Sequence, residues 1–442
     1  MIKLPEQVNK AICLLKNSGF EAYAVGGAVR DCLLGKVPFD WDITTSARPE
    51  ETEKVFCGER IIETGIKHGT VTVIIDDMPL EITTYRIDGD YTDHRHPQTV
   101  SFSDNLRDDL SRRDFTINTL CCNCDDKIID VFGGKDDLNN KTIRCVGDPD
   151  TRFSEDALRI MRAVRFSAEL GFTIEKSTSD IILKNRRLLS DVSKERFQVE
   201  FTKLITGKYA TDVIRKYHAV IEVFIPELAP LVGCEQHTKY HKYDVFEHTL
   251  HAVDAIDFND RILRLTMFFH DFGKPDAKTT DENGTSHFKG HAVISEKKTR
   301  DILKRLKFDN NTINEVSKLV LIHDMKSPRD KIQAKKMMCS LGDETYLNLI
   351  KIKRADNMAK ADPHAIDEKL KNMRSFYEEI KIKNECYNLK SLAVNGDDIK
   401  AFGIAEGKEI KSSLDFLLNG VIEGKCQNRK DVLLEYLKEN TK

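Results

Sequence analysis

The chain has 442 residues, of which 40% are hydrophobic and 32% charged, a composition typical of a soluble protein of about three domains. No apolar run approaches the roughly 18 residues that a membrane-spanning helix needs, and the N-terminus reads as an amphipathic helix rather than a cleaved leader. We therefore expect a cytoplasmic protein without a membrane partner. The net charge of −3 does not exclude RNA, because RNA binding needs a basic face rather than a basic total.

The 11 cysteines are scattered and odd in number, which favours reduced thiols over a disulfide framework. Cys121, Cys122 and Cys124 contain a C-x-x-C spacing, but they lie in an apolar stretch without a second pair at zinc spacing. We expect them to be packed in the core, with metal or redox chemistry as the alternative.

Hydrophobic periodicity predicts an α+β fold. The head alternates strand-like runs such as VTVIID and LEITTYR with helices, whereas everything after it is helical by period. In the second region Ser154 is the expected N-cap of one long helix that ends at Gly171. The predicted regions are a head at 1–147, a helical neck at 148–235, a third region at 236–385 and a tail at 386–442.

The head contains a motif suited to nucleotide chemistry. Gly26 and Gly27 follow a strand and open the helix that carries Arg30, where small residues let backbone amides approach phosphates. Asp40 and Asp42 stand two apart in an expected strand, so their carboxylates share one face. Such carboxylates hold two Mg²⁺ ions on an attacking 3′-hydroxyl and a nucleoside triphosphate.

Glu81 lies in a strand that could pair beside the two aspartates, which makes it the third candidate carboxylate. A solvated strand residue or a partner for Arg86 remains the alternative. A plain strand-to-helix turn is the alternative for the glycine pair.

Four ordered motifs carry a resemblance to a known family. They are GGAVRDCLLG with DWD, RRDFTIN, EDALRIMRAVRF and KERFQVEF, and they span about the first half of the chain. This part resembles the class II CCA-adding tRNA nucleotidyltransferases and their poly(A) polymerase relatives. The resemblance implies a polymerase-β-like palm, Mg²⁺ dependence, the tRNA 3′ end as partner, and CTP and ATP as substrates.

Within these motifs we expect Arg113 and Asp114 to meet the sugar and phosphates of the nucleotide, with Asn118 supporting them. A surface arginine pair with a capping aspartate is the alternative. In the neck, Arg159, Arg162 and Arg165 recur every three residues among apolar neighbours, which places them along one helix side. We expect them to contact the nucleotide, against the alternative of a solvated basic stripe.

Asp156 and Arg159 lie three apart on the predicted helix, so a direct contact would orient both. A carboxylate that accepts from an amino group, beside a guanidinium that donates to a ring nitrogen, matches the pairing edges of C and A. On G and U the order of donor and acceptor along the pairing edge is reversed, so the same two side chains would reject these bases. The sequence thus predicts a protein-borne template, with an intrahelical ion pair serving stability as the alternative.

Between the second carboxylate strand and RRDFTIN lies DHRHPQTVSF, Asp93 to Phe102, preceded by DGDYT. This polar segment resembles the flexible loop that CCA-adding enzymes need for the terminal adenosine. It favours complete CCA addition over poly(A) synthesis, although a plain mobile surface loop is possible on composition alone.

Downstream, FFHDFGKP and EHTLHAVDA resemble the HD phosphohydrolases. The resemblance implies a divalent metal such as Mn²⁺, Ni²⁺ or Mg²⁺, whose ligands are His248, His270, Asp271 and Asp356. His291 and His323 can complete a second site, and we expect His251 to pack within its helix instead. Such a domain would hydrolyse phosphate esters at RNA ends, or it has lost activity and positions RNA.

Three alternatives to a CCA-adding enzyme remain open at this point. They are a poly(A) polymerase, an enzyme that adds only CC or only A, and a non-catalytic nucleotide or RNA scaffold. The lysines of the tail either contact tRNA phosphates or are merely solvated. The oligomeric state is not predicted by the sequence.

Overall fold

The computed structural model describes residues 2–63, 65–66, 69–89, 100–404 and 407–440. The chain divides into two compact units: Met1–Ala229 with Arg305–Lys307, and Pro230–Lys304 with Phe308–Lys442. This division lies six residues from the predicted boundary after residue 235, and the other predicted boundaries remain predictions. Within the described ranges, no helix has both the length and the apolar character to cross a bilayer.

The first unit contains a seven-stranded sheet among its described residues, and the predicted α+β class is confirmed. The strand order is β3-β4-β5-β2-β1-β8-β9, in which β2 and β5 are parallel and the other neighbours antiparallel. A separate ribbon pairs β6 with β7. The strands are β1 (Ala22–Val25), β2 (Asp42–Thr45), β3 (Arg60–Ile62), β4 (Thr70–Ile75), β5 (Met78–Thr84), β6 (Arg86–Asp88), β7 (Val100–Phe102), β8 (Cys121–Cys122) and β9 (Ile128–Ile129).

Side-chain alternation explains why the central hairpin forms. Val71, Val73 and Ile75 of β4 point into the core, and the residues between them are half-buried. Asp76 and Asp77 both adopt positive φ, of 47° and 63°, which suits a tight two-residue turn between β4 and β5. The strand-like runs VTVIID and LEITTYR therefore form a hairpin.

The first unit also contains helices, which pack on the sheet and form the neck. A separate short parallel pair consists of β10 (Thr142–Ile143) and β11 (Thr173–Ile174). The N-terminal helix is amphipathic as predicted, with Val8, Ile12 and Leu15 buried. The helices are α1 (Glu6–Asn17), α2 (Gly27–Leu33), α3 (Pro49–Val55), α4 (Leu106–Ser111), α5 (Gly134–Asn139), α6 (Pro149–Glu155), α7 (Leu158–Leu170), α8 (Lys176–Asn185), α9 (Lys194–Ile205) and α10 (Ala210–Ile221).

The predicted long neck helix is wrong, because two helices, α6 and α7, occupy its place. Asp156 between them has extended backbone angles, φ −133° and ψ 101°. Ser154 lies inside α6, where its hydroxyl donates to the Asp150 carbonyl, and Asp148 is the residue that caps α6. Gly171 does end α7, with φ +69°, as predicted.

The second unit is helical, with a small hairpin of β12 (Thr279–Thr280) and β13 (Ser286–His287). Aspartates cap four of its helices, at Asp244, Asp260, Asp309 and Asp330. Its helices are α11 (Val245–Asp254), α12 (Arg261–Phe269), α13 (Lys274–Ala277), α14 (His291–Arg305), α15 (Asn310–Ile322), α16 (Lys331–Leu341), α17 (Asp343–Met358), α18 (Asp367–Ile382), α19 (Gly396–Ala401), α20 (Lys408–Ile422) and α21 (Lys430–Asn440).

Candidate active sites

The first candidate site lies at the start of β2. Asp42 begins this strand, and Glu81 is its direct partner on the parallel strand β5. Pairing beside Glu81 is thus confirmed, and both residues are exposed. Asp40 precedes the strand instead of lying in it, so the strand period does not set its direction. In the described part of the chain, these three residues do not bring one carboxylate oxygen each to within 4.8 Å of one another.

At Gly26 the predicted glycine turn lies next to Asp42. Its φ is +83°, which favours glycine, and an added Cβ would lie 3.3 Å from Nη1 of Arg113 and 3.8 Å from Oδ2 of Asp42. Backbone, guanidinium and carboxylate therefore meet at one point. Such a cluster can receive a phosphate and a cation together.

The pKa of Asp42 is raised to about 6. The main cause is desolvation by the surrounding protein atoms, although part of the residue is exposed; Arg113 lowers the pKa, and Glu81 and Asp40 raise it further. Repulsion among the carboxylates is the condition that a bound divalent cation relieves. The residues present therefore fit a metal site.

Asp109 was missed by the sequence reading, although it is completely buried behind this cluster. It pairs with Arg112 at 2.6 Å and with Arg113 at 3.3 Å, and it accepts a hydrogen bond from Thr44. Burial alone would raise the pKa of Asp109, but the two arginines lower it. Asp109 holds Arg113 beside the carboxylates.

A buried polar network links the glycine helix to the neck. Arg30 donates to Asn118 at 2.7 Å, Asn118 donates to Asp114 at 2.9 Å, and Arg162 pairs with Asp114 at 2.7 Å. The predicted support of Asp114 by Asn118 is present in the structure. Burial by itself would raise the pKa of Asp114, but Arg162, Asn118 and Arg159 lower it to about 2.

Glu200 of α9 extends the network and was also missed. It lies 2.7 Å from Nε of Arg165 and 3.9 Å from Arg162. Arg165 further pairs with Glu169 and lies over the Phe166 ring at 3.7 Å. Arg165 is 7% exposed, so it belongs to the interior of the neck.

The predicted arrangement of Asp156 and Arg159 on one helix face is wrong, because the chain leaves the helix at Asp156. Its carboxylate accepts hydrogen bonds of 2.9 and 3.2 Å from Arg196 of α9. Arg159 instead donates to Glu155 at 2.7 Å and to the carbonyls of Arg152 and Arg112. Each group is oriented by its own partners.

Most of the expected flexible loop lies outside the described residues, since residues 90–99 are not among them. What is described is its base, where β6 and β7 pair antiparallel. Among the cysteines, Cys121 and Cys122 are buried in β8 as predicted, whereas Cys124 is only half-buried.

The second candidate site brings four predicted residues to one point in the second unit. Nε2 of His248 lies 3.0 Å from Oδ1 of Asp356 and 3.4 Å from Oδ2 of Asp271, and Nε2 of His270 lies 3.1 Å from that same Oδ2. The two histidine Nε2 atoms are 3.4 Å apart. Histidine nitrogen and carboxylate oxygen so arranged are a ligand set for Mn, Fe, Ni or Mg.

Asp271 joins this group to a second one. Its other oxygen, Oδ1, lies 3.4 Å from Nε2 of His291 and 3.8 Å from Nε2 of His323. Both oxygens of Asp271 are buried, and Lys274 lies 2.7 Å from Oδ2. His251 stays outside both groups and stacks on Tyr243 at 4.3 Å, as predicted.

Backbone carbonyls orient all four histidine rings. The Nδ1 atoms of His248, His270, His291 and His323 lie 2.6 to 3.2 Å from the carbonyls of Ala359, Met267, Phe288 and Val320. An Nδ1–H that donates to a carbonyl leaves the Nε2 lone pair free for a metal. Burial lowers the pKa of His323 to about 3 and also lowers that of His248, which favours the neutral form of these two rings, whereas for His270 burial is outweighed by Asp271, which raises the pKa.

Comparison with known proteins identifies the family. The CCA-adding enzyme of Bacillus velezensis is 34% identical over 424 residues, which cover 96% of this chain and 95% of that protein. The chain belongs to the CCA-adding enzyme family. The CCA-adding enzyme of Geobacillus stearothermophilus is likewise 34% identical, over 97% of this chain and 95% of the relative.

Three family models match successive parts of the chain. The poly A polymerase head domain matches residues 22–144, the probable RNA- and SrmB-binding site of polymerase A matches 171–231, and the putative tRNA nucleotidyltransferase domain 2 matches 279–437. The head match includes Gly26, Asp40, Asp42 and Glu81. Nucleotidyltransferases of this family depend on divalent metal ions.

Solved structures of CCA-adding enzymes share the fold. The Bacillus stearothermophilus enzyme in complex with CTP is 30% identical and covers 99% of this chain and 97% of its own, with a TM-score of 0.68. The Thermotoga maritima enzyme complexed with tRNA is 20% identical, covers 98% and 95%, and has a TM-score of 0.63, which shows the fold alone.

Proposed function

We propose that this protein transfers CMP and AMP from CTP and ATP to the 3′ end of tRNA, completing CCA. One observation carries the proposal: Asp42 lies in register with Glu81, against the Gly26 turn and Arg113. Family membership supports it, and so does the solved relative bound to CTP.

In this site Asp40, Asp42 and Glu81 would hold Mg²⁺, which neutralises charge on the phosphates and favours attack by the tRNA 3′-hydroxyl. The Gly26–Gly27 turn would approach the triphosphate with the Gly27 amide, because the Gly26 amide donates to the Leu120 carbonyl at 3.3 Å, and Arg113 would offer a cation to it. Arg162, Asn118 and Arg159 hold Asp114 ionised behind the site, and Arg30 donates to Asn118.

Base selection follows from Asp156 and Arg159. The Asp156 carboxylate accepts from the amino group of C or A, and Arg159 donates to the adjacent ring nitrogen. Arg196 orients Asp156, and Glu155 orients Arg159. Each mispaired bond with G or U costs about 1 to 3 kcal/mol, so two bonds give roughly a hundredfold discrimination or more.

The test of base selection compares nucleotides on one tRNA. Asp156→Ala or Arg159→Ala should lower kcat/KM for CTP and ATP and narrow the gap to UTP and GTP. A variant that unfolds more easily but keeps the full preference would show that these residues only brace the neck.

The test of the activity uses tRNA without its 3′ CCA, Mg²⁺, and CTP and ATP singly and together. Asp40→Ala and Asp42→Ala should abolish addition while tRNA binding stays near wild type, because neither removes a cation that contacts phosphate. Long A tails with ATP alone would indicate a poly(A) polymerase. Addition that stops after CC, or requires CC, would indicate a partial enzyme.

A second activity is favoured by the convergence of His248, His270, Asp271 and Asp356. We propose that the second unit is an HD-type phosphohydrolase at residues 236–385, with Mn²⁺, Ni²⁺ or Mg²⁺. The ion would supply an activated water, and Asp271 stands between the two ligand groups. Water oxygen attacks phosphorus, the P–O ester bond breaks, and the departing oxygen takes a proton.

Replacing His270 and Asp271 together by alanine should remove hydrolysis of phosphate esters and leave CCA addition intact. A wild-type protein without hydrolysis under all three metals would show that the unit serves only to position RNA. We place both activities in the cytoplasm, and the tail at 386–442 is the candidate for further tRNA contact.

A further inference from the structure

A cluster of two thiols and a lysine in the head uses none of the residues assigned above to nucleotide transfer. It lies where α1 meets the turn between β8 and β9. Nζ of Lys16 in α1 is 3.6 Å from Sγ of Cys124 and 3.6 Å from the carboxylate of Asp125, both in that turn. Cys13 stands three residues before Lys16, so the two side chains lie on one face of the helix. The thiols of Cys13 and Cys124 are hydrogen-bonded to each other.

The cluster is held in place and is open to small solutes. The Asn123 side chain accepts a hydrogen bond from the Asp125 amide at 3.0 Å, which fixes the turn around Cys124. Cys13 and Cys124 are half-buried, and Lys16 is exposed. A small oxidant in solution therefore has access to the two sulfurs.

The other two cysteines of this segment are placed differently, although Cys121 and Cys124 form the C-x-x-C spacing. Cys121 and Cys122 are buried, and their thiols donate to nearby backbone carbonyls at 3.6 Å. Burial raises the pKa of Cys121 to about 12 and that of Cys122 to about 11, so both stay protonated at neutral pH and react slowly with oxidants. In the fold, the partner of Cys124 is therefore Cys13 of α1 and not the cysteine that the local spacing suggests.

We propose that Cys13 and Cys124 form a reversible oxidation site, at which hydrogen peroxide converts the two thiols into a disulfide. Lys16 favours the thiolate of Cys124 because its ammonium group donates to that sulfur, and the thiolate is the reacting form. Burial and the contact with Cys124 raise the pKa of the Cys13 thiol, so Cys13 keeps its proton until the second step. The bond ties α1 to the turn after β8, which pairs with the strand leading to Gly26.

The oxidation takes place in two balanced steps. The Cys124 thiolate attacks one oxygen of the peroxide, the O–O bond breaks, and the departing hydroxide takes up a proton to become water. The Cys13 sulfur then attacks the sulfur of the resulting sulfenic acid. The S–S bond forms, the S–O bond breaks, and the Cys13 proton leaves with the hydroxide as a second water. A small thiol restores both cysteines by exchange.

The experiment treats the reduced full-length protein with a small excess of hydrogen peroxide, alkylates the remaining thiols under denaturing conditions and digests with trypsin without reduction. Mass spectrometry should find a bond between the peptides 11–16 and 114–127, with the other two cysteines of the second peptide alkylated, and dithiothreitol should remove it. In Cys13→Ser the bond should be lost while dimedone still labels Cys124 as a sulfenic acid. In Cys124→Ser both the bond and the label should be lost.

Two lysine variants test the role assigned to the cation. Lys16→Met should slow formation of the bond by about fivefold, because less thiolate is present without the neighbouring ammonium group. Lys10→Met is the matched control, since Lys10 is also an exposed lysine of α1 but pairs with Glu59 at 3.0 Å, and its rate should stay within about 1.5-fold of wild type. A bond between other cysteines, a bond that persists in Cys124→Ser, or equal rates in the two lysine variants would overturn the proposal.

Discussion

Arg162→Met probes the buried pairing that joins the head to the neck. The change removes the cation 2.7 Å from Asp114 but keeps an apolar stem of similar length. Asp114 is 8% exposed, so its carboxylate would be left in the interior with less compensation. We expect a marked loss of folding stability at neutral pH.

The magnitude follows from the pKa of Asp114, which the wild-type network lowers from 3.8 to about 2. This shift corresponds to roughly 2.5 kcal/mol of stabilisation above pH 4, to which Arg162 is the largest contributor. Burial raises the pKa of a carboxyl group that has lost its cation, so the loss of folding stability should exceed this figure and reach about 3 to 5 kcal/mol.

The sign of the pH dependence is determined by the same shift. A lowered folded-state pKa stabilises the protein above the unfolded pKa of 3.8, and the stabilisation is lost as pH falls towards 2. In Arg162→Met the raised pKa of Asp114 lets the folded protein take up a proton. The stability difference from wild type should therefore shrink as pH falls from 8 towards 4.

Urea unfolding at several pH values measures both effects. Arg215→Met is the matched control, because its pair with Asp212 is exposed and should contribute about 0 to 1 kcal/mol. A loss for Arg162→Met no larger than that of the control, or one that is independent of pH, would refute the reasoning.

Three further predictions concern the head. Because the pKa of Asp42 is about 6, protons compete with Mg²⁺ for its carboxylate, and lowering the pH from 7 to 5 should weaken the Mg²⁺ affinity by roughly tenfold. Titration calorimetry measures this affinity, and an affinity that does not change with pH would contradict the prediction. Gly26→Ala should impair nucleotide addition more than Gly35→Ala does, since both have positive φ but only the methyl at Gly26 crowds Arg113, at 3.3 Å; equal kcat values would indicate backbone strain alone. Arg95→Ala with Pro97→Ala should spare both cytidines and impair the terminal adenosine on a sequencing gel, and equal loss of all three would indicate a purely structural loop.

Local patterns in the sequence determined much of the head. The alternation in β4, the turn before β5 and the glycine that ends α7 depend on residues close together in the chain, so they are readable without the fold. The pairing of the Glu81 strand beside Asp42 was also anticipated, although β3 and β4 lie between the two strands in the chain. The start of β2 was misplaced by two residues, since the periodicity does not mark where strand hydrogen bonding begins.

In the neck, prediction from local sequence periodicity fails. A helical period runs through Asp156, but the backbone breaks there, and Arg196 binds the carboxylate from 40 positions away. Helical spacing favours a partner three residues distant, whereas packing of α9 against α7 supplies a better one. The choice between them depends on tertiary packing, which periodicity does not report.

The sequence by itself determined which side chains are candidates for the chemistry: the head carboxylates, the neck arginines, and the histidines and aspartates of the second unit. Their motifs specify residue type and order along the chain. Only the tertiary structure decided that Asp271 joins two ligand groups and that Lys353 and Lys360 stand beside them. Such neighbours come from different helices, and their approach follows from the burial of apolar faces, a sum over many distant contacts rather than a local pattern.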